Sequence, residues 1–269
     1  MNDPEMTARY AITLQYDGTD FVGWQSQPQG RTVQDTIEEG LRTIFRSPIP
    51  IVGAGRTDTG VHARYMVAHF DTPESREHEL PELIYRLNRY LPHDITICAL
   101  YKVSPEFHAR FSATSRTYRY YITLVHSPFT RYFHTYIPWD LDFELMNETA
   151  HSLLGTKDFI TFSKTNTDVF THICEVTSAL WENCGEDCYR FEITANRFLR
   201  NMVRALVGTL IDVGRGKITK EQFIEKLELQ DRAQNITTAA ATGLFLEEIT
   251  YPTELIGERL WDNHSKITF

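Results

Sequence analysis

Cysteine is scarce: the chain has four in 269 residues, Cys98, Cys174, Cys184 and Cys188. So few thiols at irregular spacing exclude a disulfide framework and fit a reducing compartment, the cytoplasm. Cys184 and Cys188 stand close together, but no second pair completes a zinc pattern, and the residues between them read as a hairpin turn. Long apolar runs are missing as well. The longest, Met202 to Val213, is broken by Arg204 and Asp212 and is too short to cross a bilayer. The opening residues, Met1-Asn2-Asp3-Pro4-Glu5-Met6, lack the apolar core of a signal peptide. Familiar catalytic signatures are absent too. None of the ten histidines falls in a His-Glu-x-x-His pattern, and there is no Gly-x-Ser-x-Gly elbow. Gly53-Ala54-Gly55 lacks the third glycine of a dinucleotide loop, and no phosphate-loop Lys-Ser/Thr follows it. Neither a metal nor a cofactor is expected. Positive charge is also in deficit, with 27 Lys and Arg against 36 Asp and Glu, a net charge of −9. Taken alone, that disfavours a nucleic-acid partner.

The distribution of charge weakens that exclusion. Arg110, Arg116, Arg119 and Arg131 lie in a stretch whose nearby acid is Glu106. Arg197, Arg200, Arg204, Arg215, Lys217 and Lys220 are opposed only by Asp212. The acids gather around Asp71 to Glu82, Asp140 to Glu148 and Asp231 to Glu254. A basic groove on an acidic body suits phosphate contact; two solvated faces would look the same.

Hydrophobic periodicity supplies the elements. Tyr10, Ile12, Leu14 and Tyr16 alternate with smaller or polar residues, the pattern of a half-buried strand. Thr32 and Asp35 resemble a capping box, and Val33, Ile37, Leu41 and Ile44 mark the buried side of the helix that follows. Further strands are expected at Ile49 to Val52, Met66 to Phe70 and Ile95 to Val103, with a helix opened by Pro81 and ended at Leu91-Pro92. Tyr118, Tyr120, Ile122 and Leu124 share one face of a strand whose partner would be Phe133 to Trp139. A helix from Phe143 would be stopped by Gly155, and Ile173 to Trp181 would pair with Tyr189 to Ala195 around the cysteine turn. In the helix around Met202, Arg197, Arg200 and Arg204 would form a stripe at i, i+3 and i+7 beside an apolar face. Thr219 and Gln222 cap a shorter helix, and Gly243 to Ile249 is a last strand. The economical architecture is α/β (α+β): two similar halves sharing a mostly antiparallel central sheet flanked by helices, with a basic cleft between them. Residues 1–104 would form the first half and 105–269 the second.

The stretch with the strongest chemical character is Gly53-Ala54-Gly55-Arg56-Thr57-Asp58-Thr59-Gly60-Val61-His62-Ala63. Its glycines permit positive φ and close approach of another backbone, and expected strands hold the loop at both ends. Asp58 then sits on a braced loop, either as a working carboxylate or as an Asx filler of a glycine-rich turn.

Gly55-Arg56-Thr57-Asp58-x-Gly60-Val61-His62-Ala63 resembles the catalytic motif of the bacterial TruA-type tRNA pseudouridine synthases. Other stretches resemble that family in the same order. They are Tyr16-Asp17-Gly18-Thr19-x-Phe21-x-Gly23-Trp24-Gln25, Phe107 to Ala113 with Arg116-x-Tyr118-x-Tyr120, and Phe198-Leu199-x-x-Met202-Val203-Arg204 with Gly243-Leu244-x-Leu246. Thr59 and Arg64-Tyr65-Met66 depart from the family's usual residues.

The resemblance implies an isomerase without cofactor or metal that turns uridine into pseudouridine at positions 38, 39 and 40 of the tRNA anticodon arm, working as a cytoplasmic homodimer with no membrane association. It implies that Asp58 acts at C1′ or C2′ of a flipped-out uridine, that Arg204 pairs with the acid, and that Tyr118 holds the uracil. Arg56 would hold RNA or help extrude the base, and Arg110, Arg116, Arg197 and Arg200 would meet phosphates. A synthase acting at another RNA position, or a non-enzymic RNA-binding protein, are the alternatives; the latter lacks an RNP-type strand. A glycosidase would need paired carboxylates, and none is evident.

Overall fold

Strand β1 (Thr7–Tyr16) carries the pattern read as half-buried, yet it is buried on both faces. Tyr10, Ala11, Ile12, Thr13 and Leu14 have no exposed surface. The reason is position: β1 lies between two antiparallel neighbours, β3 (His62–Pro73) and β4 (Ile95–Val103), with Ile12 opposite Ala68 on one side and Leu100 on the other. Ala11 and Thr13 are small enough to pack on the second face, so the alternation marks size rather than solvent.

The computed structural model describes residues 6–164, 171–229 and 236–263. These form two compact units, one of residues 6–114 with 246–263, the other of the described residues between 115 and 245. In the first, helix α1 (Val33–Phe45) follows β1. Its N-cap Thr32 accepts the Asp35 N–H, as the capping pattern requires, and Val33, Ile37, Leu41 and Phe45 are buried. Each such side chain removed from water contributes about 2 kcal/mol. Strand β2 is only Val52–Gly53, paired to β3, which is far longer than expected. Helix α2 (Leu80–Tyr90) has Pro81 in its first turn and buries Leu80, Leu83, Ile84 and Leu87.

The second unit opens with β5 (Ser115–Thr123). Its expected partner shrinks to β6 (Thr135–Tyr136), a two-residue parallel contact in a turn-rich segment. Helix α3 (Phe143–Ala150) starts at an Asp142 cap, and β7 (Gly155–Asp158) pairs with the long hairpin of β8 (Ile173–Gly185) and β9 (Cys188–Ala195). At the hairpin turn Cys184 and Cys188 are free thiols with their sulfurs 3.0 Å apart. Helix α4 (Met202–Gly214) is buried nearly all round rather than on one face. It begins only after Asn201, whose φ of 65° is left-handed, so the expected three-arginine stripe is broken: Arg197 and Arg200 precede the helix and only Arg204 is on it. Helix α5 (Lys220–Glu228) carries the full Thr219/Gln222 capping box.

Strand β10 (Leu244–Thr250) leads back into the first unit, where β11 (Ile256–Asp262) pairs with β4. The first unit's strands run β11-β4-β1-β3-β10 and the second's β5-β9-β8-β7. The fold is thus of the expected class, mixed α/β with mostly antiparallel strands and five helices among the described residues. None of those helices is long and apolar enough to cross a membrane.

Candidate active site

The loop carrying Asp58 is tied down by the loop that follows β1. Thr57 is buried: its hydroxyl meets the Tyr16 hydroxyl at 2.9 Å, and its carbonyl accepts the Trp24 N–H at 3.2 Å. Gly60 N–H donates to Phe21 O (3.2 Å), and the Thr59 hydroxyl donates to Val22 O (3.1 Å). Val61 N–H closes a turn onto Asp58 O at 3.1 Å, and buried His62 accepts the Gly18 N–H through Nδ1 at 3.0 Å. Two glycines make this interlock possible. Gly23 has φ +109°, and a Cβ there would lie 2.5 Å from Thr57 O; a Cβ on Gly53 would lie 2.5 Å from the Trp24 indole. Trp24 and Phe21 are almost fully enclosed, so they act as the loop's inner wall. The outcome is a half-buried Asp58 side chain on a backbone fixed from several directions. Arg56, two residues earlier, is exposed and has no ion pair or hydrogen bond among the described residues.

Arg110 belongs to the same unit and also stands on a pinned segment. Arg9 Nη1 holds the carbonyls of Pro105 (3.1 Å) and Phe107 (2.8 Å), and the Tyr251 hydroxyl donates to Ala109 O at 2.6 Å. Buried His69 accepts the Ala109 N–H on Nδ1, while His108 Nδ1 accepts those of Arg110 and Phe111. Burial, seconded by the charge on Arg9 and by His108, pushes the His69 pKa down to about 4. The Arg110 guanidinium lies outside, 5.5 Å from the ring of the exposed Phe111.

The second unit brings Tyr118, Tyr120 and Arg204 into one neighbourhood. Tyr118 and Tyr120, two residues apart on β5, point to the same face. Tyr118 is half-buried and meets Phe198 edge-on, ring centroids 5.1 Å apart. Tyr120 is fully buried, with its hydroxyl donating to Ala240 O (2.9 Å) and meeting the Thr135 hydroxyl at 2.6 Å. Burial raises its pKa to about 12, an effect countered in part by Thr135 and by the positive charge of Arg204. Arg204 Nε donates to Ala239 O at 2.8 Å, and Arg204 O accepts the Ala239 N–H at 3.0 Å. Residues 237–240 lie so close to α4 that a Cβ on Gly208 would collide with Thr237 O. Buried Asp212 holds the same segment by accepting the Thr237 hydroxyl, beside Lys217 at 3.0 Å. Arg116 donates to Asn196 O at 2.9 Å, next to half-buried Arg197, and Arg200 is exposed.

Sequence reasoning missed Phe198 as the ring against Tyr118 and residues 237–240 as the brace of Arg204. A buried acid and a glycine inside an otherwise apolar helix, Asp212 and Gly208, were the available signs of the second. The described residues contain no group of three or more His, Cys, Asp or Glu that could hold a metal.

A family model described as tRNA pseudouridine synthase matches residues 12–112 and 149–252. Those ranges include Asp58, Arg56, Arg110, Arg197, Arg200 and Arg204 and leave out Arg116 and Tyr118. The tRNA pseudouridine synthase A of Parabacteroides distasonis is 51% identical over 247 residues, covering 92% of this chain and 97% of that protein. Its namesake in Bacteroides fragilis is 47% identical over 247 residues (92% and 98%), and that of Chlorobaculum tepidum 44% over 241 residues (89% and 96%).

Proposed function

The chain belongs to the tRNA pseudouridine synthase family, a family of isomerases, and from that premise we propose that it converts uridine to pseudouridine at positions 38, 39 and 40 of the tRNA anticodon arm, acting as a homodimer. The reaction breaks the N1–C1′ bond, turns the uracil and joins C5 to C1′; the proton lost from C5 is balanced by one gained at N1. A carboxylate is the group this needs beside the sugar. It either attacks C1′ or stabilises a cationic sugar while assisting proton loss at C2′. Asp58 takes that role in this proposal. The observation that carries it is the bracing of its loop: Thr57, Asp58, Thr59 and Gly60 are each hydrogen-bonded through backbone or side chain, so the acid is presented without reorganisation.

A carboxylate in a pocket closed to water stays ionised beside a cation. In this proposal Arg204, whose Nε is anchored on Ala239 O, is the cation that pairs with the acid. C1′ and C5 cannot be worked on inside a stack, so the uridine is flipped out. Tyr118, propped edge-on by Phe198, stacks on the uracil. Arg56, exposed and without a partner among the described residues, meets the RNA where the base leaves; Arg110, Arg116, Arg197 and Arg200 contact phosphates. Chemical mapping of pseudouridine on tRNA before and after incubation with the protein tests activity and position together. New pseudouridine at 38–40 is the expected result; modification confined to other positions, or none, would refute it.

A further inference from the structure

The basic stretch from Arg110 to Arg131 contains one arginine that neither the fold nor the proposed reaction uses. Arg119 is held by Glu192 at 2.7 Å, and Arg116 by the carbonyl of Asn196. Arg131 is exposed, donates to Pro128 O (3.2 Å) and to the Tyr132 hydroxyl (2.9 Å), and has no carboxylate partner among the described residues. These bonds occupy two of the five N–H donors of a guanidinium.

Together with His126, Ser127, Thr130, His134 and Thr135, Arg131 lines a pocket of about 220 Å³ inside the second unit. No Asp or Glu lines it, although the chain carries a net charge of −9. A guanidinium, two imidazoles and several hydroxyls without a carboxylate form an environment for an oxyanion. The same segment also presents aromatic rings to solvent: Phe129 is 93% exposed, Tyr132 46% and Tyr136 42%. Positive charge interleaved with exposed rings is the surface on which unpaired nucleotides rest, phosphate on the cation and base on the ring. Inside the unit the pocket is tied to the catalytic neighbourhood. Its Thr135 hydroxyl meets Tyr120, Tyr120 donates to Ala240 O, and the adjacent Ala239 holds Arg204.

We propose that this pocket is a second tRNA subsite, in which Arg131 and the neighbouring hydroxyls bind the phosphate of a nucleotide other than the reacting uridine. Residues 113–148, which supply most of its lining, lie outside the ranges that match the family model, so the subsite is not implied by family membership. It rests on the reading that tRNA is the substrate.

The test uses the full chain as wild type, Arg131→Glu, Arg131→Lys and His126→Ala, with filter binding of tRNA at several salt concentrations, KM and kcat from C5-tritium release, and subunit mass by light scattering. Arg131→Glu should weaken tRNA binding roughly tenfold at low salt and reduce the slope of log K against log salt by about one or more. The loss should fall on KM, His126→Ala should give a smaller loss, and Arg131→Lys should restore most of the affinity. Unchanged affinity and slope in Arg131→Glu, with normal wild-type turnover, would overturn the subsite and leave the reaction standing. A changed subunit mass with intact RNA affinity would assign the pocket to a protein contact and overturn it as well. If the wild type forms no pseudouridine and Arg131→Glu still weakens tRNA binding, the reaction is wrong and the subsite survives.

Discussion

Asp58 illustrates what a single side chain does and does not reveal. Its identity and the glycines around it are local, so the loop stands out in the sequence. The partners that hold it are not local. Tyr16 meets Thr57 across 41 positions, and nothing in either stretch announces the contact. Asp58→Asn preserves shape and removes charge, so C5-tritium release from labelled tRNA should fall by about 10³-fold or more while tRNA binding is largely retained. Retained turnover would remove this carboxylate from the reaction. His69 makes a prediction about stability. Its folded pKa of about 4 lies below the roughly 6.5 of an unfolded histidine, so between those values the unfolded chain binds the extra proton. Stability should be full above about pH 6.5 and fall as pH drops toward 4, because a proton on Nδ1 would face the Ala109 N–H that now donates to it. Urea midpoints measured over this range should show the decline, and a neutral replacement, His69→Gln, should flatten the part of it that belongs to this site.

Among the strands and helices, legibility followed how local the determining signal was. Helices α1 and α5 were visible because a cap and an apolar stripe lie within one short segment. Strand β1 and helix α4 carry half-buried patterns yet are covered all round, because the layers on their second faces are remote in sequence. The supposed arginine stripe failed at Asn201, whose left-handed backbone starts the helix later than periodicity suggests. The segment from 237 to 240 carries no periodic pattern, and its importance appears only in its contact with α4. Gly208→Ala tests that contact. The new methyl would push Thr237 away and loosen the carbonyl that holds Arg204 Nε. The expected result is a loss of about 1–3 kcal/mol in urea unfolding together with a lower kcat. A fully active, equally stable variant would show that the brace is dispensable.

For the protein in its entirety, the mixed α/β class was legible from alternating strand and helix patterns, whereas the way the chain is shared between its units was not. Composition and period say nothing about a chain that leaves one unit at residue 114 and returns to it at 246. The return matters for stability: β11 covers the outer side of β4, with Ile256 opposite Val103. Ending the chain after residue 245 should expose β4 as an open edge and make the unit that holds Asp58 the first to be cut in limited proteolysis. Equal resistance of the shortened and full-length proteins would count against that role for the closing strands.

This discontinuity also sets a sequence of events during synthesis. Residues 115–245 are contiguous and can close as soon as they leave the ribosome, but the body around the acid must wait for strands encoded much later. A nascent chain therefore matures from the middle outward, and the proposed reaction waits for the strands after residue 245 that complete the unit around Asp58.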